Sequence, residues 1–85
     1  MKYVHWICLT AQMLDENLLV AWSEKDFKFT IMIKNVLHRK KSDKYFKNQI
    51  FGVGFTIEDA CYHYFMKSKG DFLVHTISNK EIEVI

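Results

Sequence analysis

The stretch from Gly54 to Gly70, GFTIEDACYHYFMKSKG, constrains the chain more than any other, because it carries a start, a stop and an apolar stripe for one helix. Thr56 offers a hydroxyl to cap the first turn, Glu58 and Asp59 suit the positive end of the helix dipole, and Lys67 and Lys69 suit its negative end. Gly70 supplies the left-handed residue that stops it. Within these bounds Ile57, Ala60, Cys61, Tyr64 and Phe65 recur at i, i+3, i+4, i+7 and i+8, a single stripe suited to lie across a sheet.

The rest of the chain reads as strands and turns. Tyr3 to Thr10 alternates, with Tyr3, His5, Ile7 and Leu9 on one face and Val4, Trp6, Cys8 and Thr10 on the other, which predicts a central strand. Leu18 to Trp22 follows a polar turn at Asp15, Glu16 and Asn17 as a second strand. After Ser23 to Asp26, Phe27 to Val36 sets Phe27, Phe29, Ile31 and Ile33 inward against Lys28, Thr30, Met32 and Lys34 outward. Beyond a basic loop, His38 to Lys44, a fourth strand spans Tyr45 to Val53; Phe72 to Ile77 and Glu81 to Ile85 follow the helix. The expected order is β-β-β-β-α-β-β, an α+β fold with an antiparallel sheet of about five to six strands and one helix packed on one face. With no proline, linker or repeat, residues 1–85 read as a single domain.

Such a short chain can bury only about 60 to 65% of its unfolded surface. Seven Phe, four Tyr and two Trp are more large apolar surface than a small monomer easily hides, so a partner surface or a homodimer contact is expected. Cys8 and Cys61 lie in apolar runs and suit a reducing cytoplasm. His5 and Thr10 interrupt the start too early for a leader's apolar core, and no apolar run reaches membrane-span length. A cytoplasmic protein without a membrane partner is the expectation.

Three kinds of site chemistry fail on spacing. His5 with Cys8 and Cys61 with His63 are a zinc-type ligand set, but positions three apart on a strand or two apart on a helix do not converge. Gly52-Val53-Gly54 before a helix is a fragment of a phosphate loop, yet Glu58 and Asp59 would repel the anion, so the glycines are read as easing the bend. A catalytic nucleophile needs a base within reach, and Cys61 lies on the buried stripe with His63 turned away. No catalytic residue, metal or cofactor is expected, and the chain reads as a non-enzyme.

Two surfaces remain as binding candidates. Lys34, Arg39, Lys40, Lys41, Lys44 and Lys47 give the segment 34–47 a net charge of +5 against −3 for the remainder, and Tyr45 and Phe46 add aromatic faces. That combination suits nucleic acid, or an acidic groove on a protein that holds nucleic acid, and equally a solvated loop protecting a sheet edge. On the helix, Tyr62, His63 and Met66 lie off the stripe, where Tyr and Met suit an interface as well as a neighbouring loop.

GVGFTIEDA resembles the G-x-T-x-E-E-A turn of HicB-like antitoxin domains, and the last third of the chain looks like short uncharacterised proteins of phages and prophages. There such a helix is followed by a Gly, a Val-rich strand and a charged tail, here Gly70, Leu73-Val74 and Lys80 to Ile85. HicB-like domains bind a toxin ribonuclease. The resemblance implies a compact protein-binding domain, and with the small size and the absence of a catalytic set the leading expectation is a phage-encoded binder that inhibits or redirects a host protein, such as a defence nuclease, by occlusion. A direct RNA or DNA binder using the basic hairpin and a structural homodimer are the alternatives.

Overall fold

A computed structural model describes all 85 residues and shows an α+β fold with two helices and two antiparallel sheets. In chain order the elements are α1 (Lys2–Met13), β1 (Leu18–Ser23), β2 (Lys28–Ile33), β3 (Val36–Arg39), β4 (Lys47–Asn48), β5 (Gly52–Gly54), α2 (Ile57–Ser68), β6 (Phe72–His75) and β7 (Glu81–Glu83). The first sheet runs β1-β2-β5 and the second β4-β3-β6-β7. No helix is long and apolar enough to cross a membrane.

The opening segment corrects the sequence reading: it is helix α1, not a central strand. Its buried residues Ile7, Thr10 and Ala11, with Leu14 just beyond, fall at i, i+3, i+4 and i+7, so the helical period overrides the alternation. Met1 provides no side-chain cap. The cap comes from α2, where Glu58 accepts N–H bonds from Tyr3 at 3.1 and 3.0 Å and from Val4 at 2.8 Å. A carboxylate there satisfies orphan donors and faces the positive end of the α1 dipole.

Helix α2 matches its sequence signature. Thr56 Oγ1 accepts the Asp59 N–H at 3.0 Å, and Gly70 adopts φ +83° after the last turn. Ala60, Cys61 and Tyr64 are fully buried, whereas Ile57 is exposed. Two long expected strands are divided between the sheets. Phe27 to Val36 breaks at Lys34–Asn35, where Asn35 takes φ 59° and the chain passes from β2 to β3. Phe27, with φ 52°, lies in the exposed turn rather than facing inward. Tyr45 to Val53 similarly becomes β4 beside β3 and β5 beside β2.

Gly52 and Gly54 do more than ease a bend. A Cβ on Gly52 would stand 2.0 Å from the Ala60 carbonyl oxygen, and one on Gly54 2.5 Å from the Ala60 nitrogen. The helix backbone thus rests directly on β5. Ile31 and Phe29, opposite these glycines in register, share the helix-facing side, and Ile31 joins Ile33, Ile7, Leu14, Tyr64 and Leu73 in one buried core fed by both sheets and both helices.

Gly52→Ala drives a methyl into the backbone of α2 and should cost about 3 kcal/mol in urea unfolding, the upper end for overpacking. Gly70→Ala, which meets nothing within 4 Å, should cost only the left-handed backbone strain of about 1 to 2 kcal/mol. Equal losses would contradict the close seat of α2.

Candidate functional site

The basic segment is partly occupied within the fold. Arg39 ends β3 with its guanidinium 4.4 Å from the Phe72 ring centre and 3.0 Å from Glu81, and Lys41 Nζ lies 3.0 Å from Glu83. The acids of β7 therefore neutralise two of the cations expected to meet a partner. Lys34 stands apart, in the β2–β3 link. Lys40, Lys44 and Lys47 remain near the exposed Tyr45, with Lys40 over Phe46 and Lys44 over Tyr45.

The outward residues of α2 also have internal work. Tyr62 stacks edge-on against Tyr3 at 4.8 Å while staying partly exposed, and Met66 is partly exposed. His63 Nδ1 accepts the Val53 N–H at 2.9 Å, and Lys67 Nζ donates to the Phe51 carbonyl at 2.8 Å. Val53 lies opposite Thr30 between the Gly52 and Gly54 pairs, so its N–H points away from β2 along the free edge of the sheet. Side chains of α2 thus close that edge.

The opposite edge, β1, is open. Its register with β2 runs from Leu18 opposite Ile33 to Ser23 opposite Lys28, and the Lys34 N–H donates to the Asn17 carbonyl at 3.0 Å. In that antiparallel phase Leu19, Ala21 and Ser23 bond to β2, while the backbone N–H and C=O groups of Leu18, Val20 and Trp22 face outward. Protein edges of this kind usually carry lysine, proline or a bulge; LLVAWS has no charge and no proline. Leu19, Val20 and Trp22 are each about half exposed, at 46, 50 and 50%.

Both faces of β1 are apolar. Leu19 and Ala21 border an open groove of about 170 Å³ completed by Val20, Thr30, Met32 and Phe51. On the helix-facing side Trp22 packs at 4.6 Å on Phe29 and at 6.3 Å on the exposed Phe27. The sequence reading placed β1 correctly but did not single out its lack of charge, which was the available signal.

Two polar clusters fasten the second sheet, one to the α1–β1 loop and one within the sheet itself. His75 Nε2 lies 2.8 Å from Glu16 Oε1, which also accepts from Asn35 at 3.1 Å; His75 Nδ1 faces Ser78 Oγ at 2.7 Å. His38 Nε2 lies 2.8 Å from Asp71, whose other oxygen accepts the Lys41 N–H at 3.0 Å. The hydrogen bond with His75, helped by Asn35, holds the Glu16 carboxyl below its usual 4.5. The Lys41 N–H, then His38, does the same for Asp71.

Ser78, His75 and Glu16 form a row of the kind used in acyl transfer, but Ser78 Oγ also accepts the Lys80 N–H at 3.2 Å and neither surface hollow is lined by Ser78 or His75. The row ties the turn after β6 to the α1–β1 loop. Burial pushes the Cys61 thiol up to about 11, which leaves it a packing group. His5 and Cys8 now share a helix face, correcting the strand argument, yet no three His, Cys, Asp or Glu side chains converge to hold a metal.

Both carboxyls are depressed in the folded state, so their stabilisation is present above about pH 4.5 and fades as pH falls through the lower folded values. The variant carrying Glu16→Gln and Asp71→Asn should be less stable at neutral pH and lose less on acidification, as read by urea unfolding across pH; an unchanged acid limb would contradict the two clasps. Comparison of the chain with protein-family models, curated proteins and solved structures finds no match to any of them.

Proposed function

We propose that this chain is a small protein-binding domain that acts by contact, and that its contact is the free β1 edge with the apolar surface on either side of it. The observation that carries the reading is the unequal treatment of the two edges of one sheet. The β5 edge is capped by His63 and Lys67, while the β1 edge keeps outward backbone groups at Leu18, Val20 and Trp22 and no charge. An extended segment of a protein partner gains main-chain hydrogen bonds on such an edge, and pockets for alternate side chains give selectivity. Here the Leu19/Ala21 groove and the Trp22/Phe27 cluster would supply that selectivity.

The resemblance of the C-terminal third to short phage proteins supports a compact protein binder, and we take its target to be a host protein, such as a defence nuclease, that it occludes. Pairing of Arg39 and Lys41 with Glu81 and Glu83 favours a protein over a nucleic-acid partner, because it removes cations that phosphates would need. Affinity capture from nuclease-treated host lysate tests the choice of surface. Val20→Lys should reduce retention of the captured protein at least tenfold, and joint reversal of Lys40, Lys44 and Lys47 to Glu should leave it unchanged. The opposite pattern would transfer the function to the basic loop.

A further inference from the structure

The geometry points to a second copy of this chain as the occupant of the β1 edge, the two copies pairing antiparallel about a two-fold axis at Val20. The inference rests on the reading of β1 as a pairing edge and adds the strand that fills it in the isolated protein, the position that a host partner's segment would take over by displacing the second copy. A two-fold normal to the sheet can only place residues of equal parity opposite each other, since facing side chains must point to the same side. The outward-bonding residues Leu18, Val20 and Trp22 are of one parity and evenly spaced. With Val20 on the axis, Val20 faces Val20 of the second copy, and Leu18 faces Trp22 of the second copy. Each such pair exchanges two N–H···O=C bonds. Moving the axis by one residue to Ala21 would leave Leu18 opposite Glu24, outside the strand.

The side chains fit the same register. Leu19 meets Ala21 of the second copy on the groove side, a large group against a small one, and Leu18 meets Trp22 on the helix side. No like charges face each other along LLVAWS, which a lysine on the edge would have brought about. The product is one continuous sheet in the order β5-β2-β1-β1-β2-β5, whose outermost strands are the edges already closed by His63 and Lys67. The groove of each copy then borders that of the other across the axis.

The half-exposed apolar groups on and beside β1 offer on the order of 500 Å² per copy, the low end for a specific interface, so association in the micromolar range is expected.

Sedimentation equilibrium of the full chain between about 1 and 200 µM tests this. The wild type should shift from a 10.2 kDa species to twice that mass across the range. Val20→Lys and, separately, Trp22→Glu, each shown folded by circular dichroism, should weaken dimerisation at least tenfold. A wild type that stays at 10.2 kDa throughout overturns the second copy as occupant and leaves the edge reading to the capture experiment. A dimer indifferent to both substitutions places the self-contact elsewhere and overturns the second copy at this edge, the edge reading again resting on the capture experiment.

Discussion

The contact on which the arrangement depends is the seating of α2 directly on the backbone of β5. Without side chains at Gly52 and Gly54, Ala60 approaches to a distance that a single methyl would forbid. That closeness has consequences on both sides of the helix. Its inner face delivers Cys61 and Tyr64 into the core, and one flank brings His63 and Lys67 within reach of the outer backbone groups of β5. Its first turn carries Glu58 to the start of α1. One helix therefore anchors another, roofs a sheet and seals one of its edges.

A helix seated over β5 and β2 leaves β1 overhanging. The strand has apolar groups on both faces and neither face is fully covered, so Leu19, Val20 and Trp22 stay half exposed side by side along one strand. A contiguous exposed apolar patch of this kind marks an interaction surface. The second sheet takes no part in this. Arg39 and Lys41 are paired with its own acids, its His38–Asp71 contact joins β3 to the residue before β6, and its His75–Glu16 clasp fastens it to the α1–β1 loop.

What the amino-acid sequence made legible follows from how local each determinant is. The cap at Thr56, the stripe through Ala60, Cys61 and Tyr64, and the stop at Gly70 all lie within one segment, and α2 was readable from them. β1 was readable as a short apolar run and β2 from alternation, each after a polar turn. α1 was not, because its cap is Glu58, more than fifty residues away in sequence, and because Tyr3 to Thr10 satisfies both periods over so short a window. The site shows the same division. The basic segment looked like a partner surface until Glu81 and Glu83 came across to it, and His63 looked unoccupied until Val53 came within 2.9 Å. Long-range pairing of polar groups leaves no trace in spacing.

Residue-resolved amide exchange across a concentration series tests the central claim, the inequality of the two edges, most directly. Val53, closed by His63, should be protected at every concentration, whereas Val20 and Trp22 should exchange freely in dilute solution and gain protection as the protein is concentrated. Equal protection of Val53, Val20 and Trp22 in dilute solution, or free exchange at Val53, would contradict it.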